Sequence, residues 1–204
     1  MRVTHIANIA AVVAGLAIAG CSSTSSSSVS GTDSGAPVVG PGASLKCDSS
    51  GKDAFDTYGP AAFVAVNEAI FAKVTAELTA NSTKNLGDAF TKIGSGMPAS
   101  TMDDAPTFKG NLAAFLVFAY GGPTDIKYTD GKMYHGPQDM VESHKGLGIT
   151  SSQFDYFVGS IIVPALTDSG VKHGAGGAAD PNDVASCFAP VITTAAFKAS
   201  IVGQ

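Results

Sequence analysis

Residues 136–159, GPQDMVESHKGLGITSSQFDYFVG, decide the fold of this chain. Within this stretch Met140, His144 and Leu147 are spaced by four and three residues, so a helix would place all three on one face. That face would hold a single imidazole between two apolar side chains. Two interpretations are open: a core histidine bonded to a backbone carbonyl, or a histidine that binds a metal or a cofactor.

A second stretch of sequence favours the interpretation of His144 as a ligand of a cofactor. Residues 114–123 read AFLVFAYGGP, and residues 139–149 and 153–159 read DMVESHKGLGI and QFDYFVG. In this order the motifs resemble the group 1 truncated haemoglobins, and the resemblance extends over residues 52–202. It implies an all-α, truncated globin-like sandwich of helices that binds one haem b, with His144 as the ligand of the iron.

The same resemblance implies which residues contact the haem. Phe71 stands where relatives carry a tyrosine that donates a hydrogen bond to the gas, and Phe108 and Leu112 stand where many carry glutamine. Phe90 resembles a phenylalanine at the haem edge, and Lys109 and Asn111 are candidate partners of the propionates. Each side chain also has a structural interpretation, as core or as solvated helix surface. The implied contacts are Phe71, Phe90, Phe108, Lys109, Leu112, Phe115, Met140, His144, Leu147, Phe154 and Val158.

The distal side implied by the resemblance therefore lacks polar groups. In a dry pocket, a hydrogen bond to bound oxygen is worth about 1 to 3 kcal/mol and lengthens its residence roughly ten- to a hundredfold. Without such a donor, oxygen should leave quickly and carbon monoxide should be less affected. Tyr120, Tyr128 and Tyr134 lie in or near loops and are the remaining candidate donors.

The implied function is reversible binding or relay of a diatomic gas: oxygen, nitric oxide or carbon monoxide. Nitric oxide dioxygenation is disfavoured, because it needs a stabilised oxygen ligand and an electron donor, and the sequence identifies no redox partner. The alternative is a haem-free module of the same fold with a structural or interaction role at the cell envelope, its pocket filled by Phe71, Phe108 and Leu112.

Hydrophobic spacing predicts helices beyond the two motifs. Pro60 suits the first turn of a helix, and Thr150 or Ser151 suits a helix cap. The predicted helices cover residues 60–79, 108–120 and 150–166, with a last helix that starts at 181–183. Residues 81–107 and 123–136 are predicted loops, and His135, in an exposed turn of the second loop, is the internal competitor of His144 for iron.

The N-terminal residues have a different composition. Residues 1–20 contain an apolar run from Ile6 to Ile18 and end in Ile-Ala-Gly before Cys21, which resembles the lipobox of bacterial lipoproteins. The run is shorter than the roughly 20 residues of a transmembrane helix. We therefore expect a signal peptide (1–20), a lipidated Cys21 that begins a Ser-, Gly- and Pro-rich tether (21–46), and a globin-like domain (47–204). This domain would be exported and anchored to the membrane, at the outer membrane or periplasmic face of a Gram-negative host.

Composition and cysteines limit the alternatives. The chain has 204 residues, 45% of them hydrophobic, and a net charge of −5, which argues against nucleic-acid binding. Cys47 and Cys187 lie at opposite ends of the folded region, and in an exported domain such a pair favours a disulfide over free thiols. Zinc is disfavoured, because neither cysteine belongs to a C-x-x-C pair and His135 and His173 stand alone in Gly-rich segments.

Overall fold

A computed structural model describes residues 45–47, 51–94, 105–136, 139–169 and 187–204. Within these ranges the chain is mainly helical, which confirms the predicted helical class, and one short β-hairpin is added to it. The signal peptide, Cys21, nearly all of the tether, His173 and the predicted start of the last helix lie outside the described residues. In the described ranges no helix is both long and apolar enough to cross a membrane.

Most of the helices and strands are short, and the longest helix covers Pro60–Asn81. They are α1 (Ala54–Tyr58), α2 (Pro60–Asn81), α3 (Ala89–Gly94), α4 (Ala105–Ala119), β1 (Asp125–Lys127), β2 (Met133–His135), α5 (Met140–His144), α6 (Ser151–Tyr156), a π-helical segment (Phe157–Ile162), α7 (Val163–Asp168), α8 (Ala189–Ile192) and α9 (Ala195–Ala199).

The core forms around α2, whose buried stripe has the predicted spacing. Its members are Phe63, Val66, Asn67, Ile70, Val74 and Leu78. This stripe packs against α4 and α7. Pro60 occupies the first turn, where a missing N–H costs nothing, and Gly59 precedes it at φ +75°, a conformation that favours glycine. The Gly-Pro bend between α1 and α2 is therefore compatible with a regular long helix.

The helix after residue 150 begins as predicted. Thr150 accepts a hydrogen bond from the Gln153 N–H at 3.3 Å, and the Gln153 side chain accepts one from the Thr150 N–H at 2.8 Å. This capping box satisfies donors that a helix start leaves without partners. The helix then continues through the π segment, where the Val163 N–H bonds the Val158 carbonyl, and through α7. The π segment widens the helix beside the cavity described below.

The hairpin was not predicted from the sequence, which indicated a loop there. β1 and β2 pair antiparallel, with Ile126 opposite Tyr134 and Asp125 opposite His135. The hairpin packs on α4 at two glycines. A Cβ at Gly110 would lie 2.4 Å from the Tyr134 ring, and one at Gly136 would lie 2.4 Å from the backbone nitrogen of Phe115. Such close backbone approach needs glycine and holds the hairpin against the helix.

Replacing Gly136 with alanine is expected to destabilise the protein by about 1 to 3 kcal/mol, because the added methyl group would meet helix backbone that cannot rotate away. Urea unfolding measures this change. Gly159→Ala is the matched control, since a Cβ there has no neighbour within 4 Å. Equal stability of the two variants would contradict the packing described for Gly136.

Cys47 and Cys187 are joined by a disulfide, with their Cα atoms 4.6 Å apart and 140 residues of separation. Both residues are buried in the core. The bond connects the start of the folded region to the segment that enters α8 and α9. It therefore closes a loop that contains nearly all of the described chain.

Breaking this disulfide should lower the free energy of unfolding by about 4 to 5 kcal/mol, because a crosslink over a long loop restricts the unfolded chain. Thermal unfolding with and without dithiothreitol measures the loss. In Cys47→Ser the reductant should have no further effect. If the melting temperature of the wild-type protein were the same with and without reductant, the prediction would be wrong.

Candidate functional site

A cavity of about 510 Å³ lies between α3, α4, the segment around α5, the helix after residue 150 and α9. Its walls are mostly apolar. Nine of the eleven side chains implied as haem contacts line it: Phe90, Phe108, Leu112, Phe115, Met140, His144, Leu147, Phe154 and Val158. Residues far apart in the sequence are thus brought to one space, with His144 among them.

Phe71 and Lys109 are not among the lining residues. Phe71 packs edge to face against Phe108, with ring centroids 5.7 Å apart. The Lys109 ammonium lies 5.4 Å from the Phe71 ring and forms an ion pair with Glu68. Phe71 is therefore separated from the cavity by the Phe108 ring, and Lys109 is engaged on the outer side of α4.

Sequence reasoning missed other lining residues. The helix predicted over 150–166 contains Phe157 and Ile162 without indicating a role for them in the pocket, and no predicted site includes Phe197 or Ile201, although all four line the cavity. The four-residue spacing of Phe197 and Ile201 is a signal that could have found them. Of the polar lining residues, Asn111 had been indicated as a candidate partner of the propionates, whereas Gln153 had not been indicated as part of the pocket.

The C-terminal segment is fixed against the loop that follows His144. The Gly148 N–H donates to the Gln204 carbonyl at 2.9 Å, and the Gly203 N–H donates to the Ile149 carbonyl at 3.0 Å. Phe197 stacks on Phe115, with ring centroids 6.3 Å apart. The end of the chain is thus part of the cavity wall.

The helix that carries His144 is a single turn with a defined start. The Asp139 carboxylate accepts a hydrogen bond from the Glu142 N–H at 3.0 Å, which caps α5. Gly146 and Gly148 then adopt positive φ angles of +83° and +65°, which end the turn and direct Leu147 into the core. Local sequence thus determines where the imidazole lies.

The imidazole of His144 is held by one of its nitrogens. Nδ1 lies 2.8 Å from the Met140 carbonyl oxygen, with the Ser143 hydroxyl 3.1 Å away. Because a carbonyl only accepts, Nδ1 carries the proton in this bond and Nε2 keeps a lone pair. In the described part of the chain no protein group hydrogen-bonds Nε2.

The structure is therefore compatible with both interpretations of His144, as a core histidine and as a ligand of a metal or cofactor. The carbonyl bond expected of a core histidine is present, and the ring also lines the cavity. In metal sites the second ring nitrogen of a histidine ligand commonly donates to a carbonyl, which fixes the tautomer and the orientation of the ring. The hydrogen bond at Nδ1 gives His144 the tautomer that a metal ligand needs, with a lone pair on Nε2.

Burial lowers the pKa of His144, and the hydrogen bond to the Met140 carbonyl offsets part of this shift. The unfolded chain, with a histidine pKa of about 6.5, then binds the proton at a higher pH than the folded chain does. Stability should therefore fall as the pH drops through about 6.5. In urea unfolding of haem-free protein, wild type should lose more stability between about pH 7.5 and pH 5.5 than His144→Gln does. Parallel losses would contradict a buried neutral imidazole.

The three candidate tyrosine donors do not line the cavity. Tyr120 is buried, and the hydroxyl groups of Tyr120, Tyr128 and Tyr134 each donate to another group. Their acceptors are the Phe188 carbonyl, the Glu68 carboxylate and the Asp130 carboxylate, respectively. Burial raises the pKa of Tyr120 far above its ordinary value. The three hydroxyl groups therefore add no polar group to the lining of the cavity.

In the described ranges no cluster of three or more histidine, cysteine, aspartate or glutamate side chains could hold a metal ion. Haem iron differs from such sites, because it needs only one protein ligand and takes its other ligands from the porphyrin. His144, a lining residue whose Nε2 has no hydrogen-bond partner in the described part of the chain, fits that requirement, and polar residues such as His135 and Asn111 share the otherwise mostly apolar lining. No model of a known family, no curated protein and no solved structure matches the chain, so the resemblance to truncated haemoglobins rests on the sequence motifs.

Proposed function

We propose that this protein binds haem b through Nε2 of His144 and uses it to bind or relay a diatomic gas at the cell envelope. The observation that carries the proposal is the orientation of His144, whose Nδ1 is bonded to the Met140 carbonyl while the ring lines a large apolar cavity. Bound haem would supply an iron with a coordination position open to a small gas.

The size and chemistry of the cavity support this assignment. A volume of about 510 Å³ falls within the roughly 300–1,000 Å³ of cofactor pockets, which are mostly apolar with a few polar groups. The aromatic and aliphatic side chains that make up most of its lining suit the flat apolar faces of a porphyrin. The truncated globin-like fold and the anchor on Cys21 belong to the same proposal.

The residues of the distal side favour reversible binding over oxidative chemistry. Phe108, Leu112 and Phe115 offer no hydrogen-bond donor to a gas. A polarised oxygen ligand would therefore gain little stabilisation from the protein. Nitric oxide dioxygenation, which needs such stabilisation, is less favoured than transport or relay.

Titration of the purified full chain with haemin tests the proposal. We expect uptake of one equivalent, with a Soret band that shifts when the reduced protein is exposed to carbon monoxide. The alternative, a haem-free structural module with Phe108 and Leu112 in a filled pocket, predicts no uptake. These two side chains instead form walls of an open cavity, which favours the haem protein.

A further inference from the structure

The rim of the cavity is poor in cations. No lysine or arginine is found among the described residues that line it, whereas Asp139 and Glu142 contribute carboxylates. The only arginine of the sequence is Arg2, within the predicted signal peptide. Haem b carries propionate carboxylates, and an anionic group beside such a rim needs a cationic or strongly donating partner.

The lysines next in sequence to lining residues are all paired with protein oxygens, including Lys198, which pairs with Asp155. Lys109 pairs with Glu68, and Lys145 lies 3.6 Å from Glu142. Lys92 lies 3.3 Å from Asp88 and donates to the Leu147 carbonyl at 3.1 Å. Each of these ammonium groups contacts a protein oxygen.

Two lining residues carry an imidazole, His135 and His144. The proposed function assigns His144 to iron. His135 lies on β2 opposite Asp125, and its Nδ1 is 2.8 Å from the Asp125 carboxylate. An ionised carboxylate can only accept a hydrogen bond, so Nδ1 of His135 is the donor in this contact. The bond fixes the orientation of the imidazole ring at the cavity wall.

The hairpin gives His135 a firm position. The neighbouring Gly136 lies directly against the backbone of α4, and the Tyr134 ring covers Gly110. The Tyr134 hydroxyl also donates to Asp130 at 2.6 Å. An imidazole on this strand is therefore presented to the cavity by a supported element, and the exposed fraction of its side chain, 61%, leaves it at the rim.

We propose that His135 is the cationic partner of a haem propionate and sets the orientation of the porphyrin in the cavity. This inference rests on the proposed function, because it assigns a residue to the same ligand. It treats the hairpin, which the truncated haemoglobin motifs did not indicate, as part of the binding site. It also assigns His135 to the carboxylate edge of the ligand, whereas the sequence indicated it as a competitor for iron.

Haemin and haemin dimethyl ester, whose propionates are uncharged, separate this role from general stability. With the full chain, His135→Gln should weaken haemin binding about three- to tenfold and leave binding of the ester unchanged. His135→Lys keeps a cation and should retain most of the affinity for haemin. Met133→Gln, at an exposed position of the same strand that does not line the cavity, should change neither affinity.

Three results would overturn the inference. Equal weakening of haemin and ester by His135→Gln would indicate a structural role, and an unchanged preference for haemin over the ester would exclude a propionate contact. A change from a low-spin to a high-spin spectrum in His135→Gln would identify His135 as an iron ligand. If wild type bound neither porphyrin, the proposed function itself would fail, a result distinct from the other three.

Discussion

Replacing His144 with alanine is expected to lower haem affinity by more than about a hundredfold and to remove the Soret band at micromolar protein. The loss should be large because His144 is the only side chain proposed to bond the iron. Mutating groups that merely support a metal ligand costs about 10- to 100-fold in affinity, so removing the ligand should cost more. Absorbance titration of the full chain with haemin measures the effect.

Added imidazole is the control for this variant. It can occupy the space left by the deleted ring and should restore a Soret band in His144→Ala, as an intact cavity requires. His173→Ala serves as the matched histidine variant and should bind haem like wild type. Unchanged haemin affinity in His144→Ala would contradict the assignment of the iron ligand and would direct attention to His135.

Features governed by neighbouring residues could be predicted from the sequence. The apolar stripe of α2 follows from the spacing of its residues, and the start of α6 follows from Thr150 and Gln153, which form the capping box. The position of His144 on a short helix that ends at glycines is likewise local. These features need no knowledge of what packs against them.

Other features depend on contacts between distant segments. The hairpin depends on a close approach of Gly136 to α4, and a strand of three residues carries too little periodicity to be recognised. The resemblance implies pocket positions for Phe71 and Lys109 from their places in the sequence alone. Whether a side chain lines the cavity depends on how one helix face is oriented relative to another. Here Phe108 lines the cavity, and Phe71 packs against Phe108 without lining it.

The apolar distal wall leads to the second large effect, which concerns oxygen release. Leu112→Gln introduces an amide donor at a position that lines the cavity. A hydrogen bond from it to bound oxygen, worth about 1 to 3 kcal/mol, should slow oxygen release roughly ten- to a hundredfold. Stopped-flow mixing of the oxygenated protein with dithionite measures the rate, and carbon monoxide, which is less polarised, should be released at a nearly unchanged rate.

Two variants distinguish the donor from a change of shape. Leu112→Met keeps volume and apolar character, so oxygen release should stay fast. Phe71→Tyr adds a hydroxyl behind Phe108, outside the described lining, and should also leave release fast. Slow release in Phe71→Tyr would mean that the haem pocket extends past Phe108 to the position where truncated haemoglobins carry their tyrosine. Slow release in wild type would require a hydrogen-bond donor beside the gas. The side chains of Phe108, Leu112 and Phe115 provide none, so the Asn111 amide, which also lines the cavity from α4, would become the candidate donor.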